Sequence, residues 1–538
     1  MFRILTSGVL PISSVMSLAI RMAKSCTLGD RYDSGPRELG QKSMRPTIIG
    51  DMTESSDTTL SSHVRTESVA DRVEAGKRAR KEHPRSTIGN WQPAANRPDP
   101  VQLLREQEAN RVPELIPIRP ARMAVSPFTF YRGTAAVMAY DLGTYPNSGL
   151  TTQLCGDAHL SNFGVFGSPD RSVLFDINDF DETHPGSFDW DVARMVASFY
   201  IAATDNQFSI ADRRTATLTA ATSYRLAMAQ YAGMNDLDMW YSRVDAEFLL
   251  NLAQTQGGNK AAKNMDRTLA KARSRDRWSA INKLTVEVDG VRQFVNDPPL
   301  LVRLPMDGAM WDVINGVFDQ YRLTLHDDRR ELLRRYRIID FAHKVVGVGS
   351  VGLRAFVVLL QGRDPQDLLV LQVKEAVNSV LEPYAAHSLF KDQGHRVVAG
   401  QRLMQAASDV FLGWLVGPGG RHFYVRQLRD MKWSPEIANL NPRTLAGYAQ
   451  ICGKTLARGH ARTGDSIKIA SYLGTSDVFD QSMLAFSENY ALQVEADFTG
   501  FKSALEDGTM ANSSDENASV QESLMHGAGI MREQAPQG

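Results

Sequence analysis

Cys155-Gly-Asp-Ala-His-Leu-Ser-Asn-Phe-Gly164, followed by Val173-Leu-Phe-Asp-Ile-Asn-Asp-Phe-Asp-Glu-Thr183, gathers oxygen ligands and a proton acceptor into one short span. An Asp, an Asn five residues on, and a further Asp after the next apolar run are the set that magnesium-dependent phosphoryl transfer needs. One carboxylate orients a hydroxyl, and two oxygen groups hold a hard cation. Asp157 is the candidate catalytic base, and Asn162 and Asp179 are the candidate metal ligands. Asp181 is a further ligand or only a neighbour. Cys155, two residues before Asp157, reads as a small buried filler at a strand end.

Outward from this span the pattern is mixed. Asp189 to Ala203 places Val192, Met195, Val196 and Phe199 on one face, which predicts a helix docked behind the acidic loop. Helical spacing continues over 211–283. Alternation from Leu284 to Val295 around Asp289-Gly290 predicts a hairpin. Residues 310–336 return to helix, with Asp327-Asp-Arg-Arg-Glu331 as a solvated face.

A second chemical landmark begins at Ile338. The run to Val346 leads into Gly347-Val-Gly-Ser-Val-Gly352, then Leu353 to Leu360, a polar turn over 361–367, and Leu368-Leu-Val-Leu-Gln-Val-Lys-Glu-Ala376. A dinucleotide-binding turn would need a helix directly after the last glycine. Phe356-Val-Val-Leu-Leu360 is too β-branched, and its turn comes too soon. Strand, glycine loop, strand, turn and strand ending in Lys is the order of a kinase nucleotide lobe. Gly347, Gly349, Ser350 and Gly352 are therefore candidate nucleotide-binding residues, with Lys374 as the phosphate-binding lysine. A surface lysine on an edge strand is the plainer alternative. Glu382 is the candidate acidic partner of Lys374, and Glu375 should point to the opposite strand face. Arg396 to Gly400 and His422 to Leu428 are expected as further strands leading to a hinge near Arg429.

Gly156-Asp-x-His-x-x-Asn162 with Ile177-Asn-Asp-Phe-Asp181 resembles the catalytic loop and metal-binding strand of aminoglycoside phosphotransferases and other kinase-like small-molecule kinases. The resemblance implies Asp157 as base and Asn162 and Asp179 as metal ligands. It also implies Asp191 as the residue that braces the loop from the following helix. The wider pattern, from Pro127-Phe-Thr-Phe-Tyr-Arg-Gly133 through Leu456-Ala-Arg-Gly-His-Ala-Arg-Thr-Gly-Asp465, resembles a bacterial family, domain of unknown function 2252, over roughly residues 95 to 505. The glycine loop follows the catalytic loop here, the reverse of ordinary kinases. The helix of Tyr448 to His460 resembles the one that usually precedes the catalytic loop, so a circular permutation is expected.

The fold expected is α+β: a protein-kinase-like two-lobed arrangement with a small antiparallel β lobe and a larger helical lobe. Its divisions are a disordered or loosely structured N-terminal extension (1–95), a helical part with the catalytic and metal-binding loops (96–337), and a β-rich nucleotide-binding part (338–435). Helices completing the large lobe (436–505) and a flexible tail (506–538) follow. The implied cofactors are ATP and Mg2+. The implied activity is a kinase-like phosphotransferase acting on a small molecule with a hydroxyl group. His159 braces the loop or contacts a phosphate, and Arg132 binds an anionic substrate or pairs with local carboxylates. Nucleotidyl transfer and a non-catalytic nucleotide sensor are the alternatives on the same frame. A metallophosphatase would need several histidines and a Gly-Asn-His element, which the chain lacks.

Bulk properties fit these expectations. The 538 residues are enough for more than one core. With 60 basic and 61 acidic residues, there is no global pull toward nucleic acid or anionic membrane. Three cysteines, Cys26, Cys155 and Cys452, are too few and scattered for a disulfide framework, and they read as free thiols of a cytoplasmic protein. No run approaches the ~18 apolar residues of a membrane span. The moderately apolar run over 4–20 is interrupted by Pro11, Ser13 and Ser14, and a start at Met52 would remove it. Lys77-Arg-Ala-Arg-Lys81 reads as part of a solvated lead-in helix.

Overall fold

A computed structural model describes residues 67–274, 277–304, 308–345, 351–428 and 431–510. Its class is α+β: a set of helices and small antiparallel sheets. Cys26, Gly347, Gly349, Ser350 and Arg429 lie outside the described residues, as does the tail beyond 510. Among the described residues no helix is long and apolar enough to cross a membrane.

The largest sheet has six antiparallel strands in the spatial order 413–416, 422–427, 368–375, 355–361, 337–344 and 301–303. Strand Leu368–Glu375 is buried along its whole length, because both faces of the sheet are covered. Alternation sorts its side chains. Leu369, Leu371 and Val373 join Phe356, Val358 and Phe423 in one apolar cluster. Leu368 and Val370 join Val357, Leu359 and Leu428 in another. On that second face the strand then turns polar, with Gln372 and Lys374. Register sets Gln372 opposite Arg426 and Lys374 opposite Tyr424. Four polar side chains therefore share the end of one sheet face.

The acidic loop is held by helices. Helix Phe188–Asp205 is buried along almost its whole length, and helix Pro442–Thr463 packs beside it and helix Ile210–Ala232. An apolar cluster running from Leu154 and Phe163 through Val192, Val196 and Leu456 fills the space between these elements. Strands Phe163–Gly167 and Val173–Ile177 pair antiparallel and carry the loop and the following acidic segment. The expected hairpin is present, with Thr285–Val288 paired to Val291–Phe294. Its turn has Asp289 at φ 50° and Gly290 at φ 76°, the left-handed pair that a two-residue hairpin prefers.

One expected strand differs from the structure. Residues 393–404, which include the expected strand Arg396 to Gly400, form a helix. Val397-Val398 looks like a strand, but Asp392 caps the helix by accepting from the His395 backbone N–H at 3.1 Å. Within the 1–95 extension, the lead-in helix expected around Lys77–Lys81 is present as Val69–Glu82, with a Ser68–Asp71 capping box. Its apolar content is low, and it docks by polar means. Arg72 reaches Asp465 through Nε and Nη2, both at 2.8 Å. Gly76 lies so close to the Lys468 carbonyl that a Cβ would sit 2.3 Å from it. The basic cluster lies on this helix, where Lys77 pairs with Glu74.

Candidate active site

The loop 155–162 is positioned from behind by one helix. Asp191, Arg194 and Ser198 lie at i, i+3 and i+7 and so share a face of helix Phe188–Asp205. Asp191 accepts from the backbone N–H groups of Cys155 at 2.8 Å and Gly156 at 3.1 Å. Arg194 donates from Nε to Asp157 Oδ1 at 2.9 Å, and Ser198 Oγ accepts from the Leu160 N–H at 3.0 Å. His460 reaches Asp191 at 3.2 Å and is itself hydrogen-bonded to Tyr224 at 2.9 Å. Gly156, at φ 85°, must be glycine, since a Cβ there would lie 2.1 Å from the Glu182 carbonyl oxygen.

Asn162 turns its side-chain amide inward, and Nδ2 donates to the Asp157 carbonyl at 2.8 Å. Its own carbonyl accepts from Asn178 N–H at 2.8 Å, which sets the residue before Asp179 directly against the loop. The acidic segment then meets the polar end of the sheet. Lys374 Nζ forms an ion pair with Asp181 Oδ2 and lies 3.9 Å from Asp179 Oδ1. Tyr424 donates to Asp181 Oδ1 at 2.7 Å, and Arg426 donates to the Asn178 carbonyl at 3.1 Å. Arg396, buried on helix Gln393–Met404, donates to the carbonyls of Asp181 at 2.9 Å, Thr183 at 2.5 Å and Val377 at 2.8 Å.

Charge divides the two aspartates. Burial and the neighbouring Asp181 push the Asp179 carboxyl up, against the pull of Lys374 and Arg426. Burial also works to raise Asp181, but Lys374, Tyr424 and Arg426 outweigh it and hold the carboxyl below its usual range. Burial opposes the charge of Lys374, and Asp179 and Asp181 more than offset it, so the ammonium titrates far above its usual range. Asp179 is thus the carboxylate whose charge is least compensated, and its side chain is 34% exposed. Asp181 already accepts on both oxygens, which suits a neighbour better than a metal ligand.

The remaining candidates separate. His159 Nε2 is 3.6 Å from Asp157 Oδ2. Burial, with Arg132 and Arg194 nearby, lowers its pKa well below the usual value, so the ring is neutral. Arg132, near the end of helix Pro127–Gly133, forms no ion pair among the described residues, and its buried Nε has no hydrogen-bond partner. Gly352 is described, and its carbonyl accepts from Val112 N–H at 2.8 Å. Glu382 is not the partner of Lys374. It opens a short 3-10 turn and accepts from Ser388 N–H at 3.2 Å. Glu375 pairs with Arg354 and Arg421, on the face away from Lys374. Cys155 and Cys452 are buried and unpaired.

Sequence reasoning missed Arg194, Tyr424, Arg426 and Arg396. Arg194 had a signal, a charged residue three positions after Asp191 inside an apolar helix. Tyr424 and Arg426 had none without the strand register that sets them beside Lys374 and Gln372.

An Asn amide oxygen and a half-buried, undercompensated carboxylate suit a divalent cation that takes its other ligands from phosphate and water. Among the described residues, no group of three or more His, Cys, Asp or Glu side chains is arranged to hold a metal without such help.

The assembly is a lysine–carboxylate site where helices meet an antiparallel sheet in an α+β protein. Residues 111–504 match a family described as "Uncharacterized protein conserved in bacteria (DUF2252)", and the chain belongs to that family. No curated protein and no solved structure matches it.

Proposed function

We propose that the protein is an ATP- and magnesium-dependent phosphotransferase of kinase-like type acting on a hydroxyl-bearing small molecule. The observation that carries this reading is the meeting of Lys374 with Asp179 and Asp181, residues nearly two hundred positions apart, beside the loop of Asp157 and Asn162. Phosphoryl transfer asks a protein mainly to position charge. Asn162 and Asp179 would hold magnesium, which supplies charge neutralisation to the nucleotide phosphates. Lys374 would release part of its hold on Asp179 to contact a phosphate. Asp157, fixed by Arg194, would orient the acceptor hydroxyl and take its proton. Arg132, with its unpartnered Nε, would meet an anionic group on the acceptor.

In this reading the antiparallel sheet is the small lobe of a circularly permuted kinase-like frame. Helix Gln393–Met404 follows the lysine strand as the glutamate-bearing helix does in kinases. In this chain that helix presents Arg396, and the acidic segment provides the partners of Lys374. The test is incubation with γ-labelled and α-labelled ATP in the presence of a metabolite extract. Transfer of the γ label alone is the expected result. Transfer of the α label would mean a nucleotidyl transferase, and binding without transfer of either label a nucleotide sensor.

A further inference from the structure

A cavity of about 250 Å3 lies at the start of helix Phe188–Asp205, bounded by the chain around 82–88 and by helices Ser466–Leu473 and Val478–Glu506. Buried Asp189 and half-buried Arg85 line it with opposite charges, and exposed Glu82 and His83 also belong to its lining. Asp189 is only 5% exposed; its Oδ2 accepts from Ser148 N–H at 2.9 Å, while its buried Oδ1 has no hydrogen-bond partner. Arg85 is half-buried, donates to the Leu473 carbonyl, and forms no ion pair among the described residues. Burial raises the Tyr472 hydroxyl most, and the residue feels both charges as well, since Asp189 adds to the rise and Arg85 works against it. Ile88, Pro146 and Phe479 supply apolar wall.

A water molecule could serve Asp189 Oδ1, but it fills only ~30 Å3 and leaves Arg85 unanswered. A simple cation would be repelled by Arg85, and a simple anion by Asp189 and Glu82. The volume is below the ~300–1,000 Å3 of drug-sized sites, so the ligand is small. We propose that this cavity binds a small zwitterion of the amino-acid class, with its ammonium on Asp189, its carboxylate on Arg85 and its carbon skeleton against the apolar wall. Asp189 lies two positions before Asp191, which holds the Cys155 and Gly156 amides, so the occupied cavity abuts the element that positions the loop.

The test is calorimetry and thermal melting of the full chain with a panel of α-, β- and ω-amino acids, together with the carboxamide and N-acetyl form of each. At least one amino acid should bind with a dissociation constant at or below ~1 mM, and removing either charge should weaken it by about tenfold or more. Arg85→Gln and Asp189→Asn should each weaken it to a similar extent. Arg85→Gln changes a half-exposed residue and keeps the test decisive if Asp189→Asn fails to fold. The proposal is overturned if no amino acid binds at ~10 mM, if a carboxamide binds as well as its parent, or if Arg85→Gln binds like the unaltered protein.

Discussion

Lys374 shows what one buried charge demands of its surroundings. An ammonium taken out of water costs several kcal/mol unless a partner and hydrogen bonds are waiting. Here the partners are Asp181 and Asp179, and Tyr424 holds the far oxygen of Asp181. Lys374→Met should therefore destabilise the fold by about 3 kcal/mol in urea unfolding, since it strands a carboxylate. Around the same site, Asp179→Ala should remove magnesium-dependent nucleotide binding. Asp157→Ala should leave binding within about threefold and lower turnover by at least about a hundredfold, as expected of a general base. Unchanged turnover in both variants would end the phosphotransferase reading. His343 gives a pH signature independent of that chemistry. It is buried, neither ring nitrogen has a partner, and burial pushes its pKa down to about 4. The unfolded chain takes up the proton near pH ~6.5, so stability is complete above that pH and falls as the pH drops toward the folded value. Between pH 7 and 4 the loss at this residue should be on the order of 2–3 kcal/mol, and His343→Leu should lack that part of the acid sensitivity. A variant as acid-sensitive as the parent would contradict this assignment.

At the scale of elements, the loop depends on the helix behind it. Asp191→Ala would leave two loop amides and His460 without their acceptor, and should cost about 2–4 kcal/mol in chemical unfolding. Asp191→Asn, which keeps one acceptor oxygen, should cost less; an equal loss in both variants would argue against the bracing geometry. The same elements show what the sequence made legible. Strand Leu368–Glu375 could be read because a run from Leu368 to Lys374 that is apolar apart from Gln372 fits a strand covered on both faces. The bracing position of Asp191 was legible only through the resemblance to kinase-like enzymes, and the hydrogen bonds to the Cys155 and Gly156 amides place it there. Helix Gln393–Met404 could not, because two adjacent valines outweighed a single Asp cap. The docking of helix Val69–Glu82, which reads from sequence only as a solvated lead-in, could not be seen for a different reason, since an ion pair and a close glycine contact replace the apolar stripe that periodicity detects. Arg396 was missed because its partners across the site are backbone carbonyls, which leave no mark on the pattern of side chains, and its one side-chain acceptor is Gln393 on its own helix.

For the whole molecule, the central claim is that two distant segments form one site. Sequence order runs from acidic loop to lysine strand, and the contacts among Asp179, Asp181, Lys374, Tyr424 and Arg426 are all long-range. The acidic motif and the lysine strand were each readable alone, but their juxtaposition depends on strand register and on how Arg396 ties the acidic segment to its helix. The measurement that tests the claim most directly is ATP binding by calorimetry, with and without magnesium, for the unaltered protein, Asp179→Ala and Lys374→Met. The account predicts magnesium-dependent binding in the unaltered protein and a loss of at least about tenfold in each variant, taken from opposite sides of the site. Absence of nucleotide binding in the unaltered protein, or binding untouched by both substitutions, would contradict it.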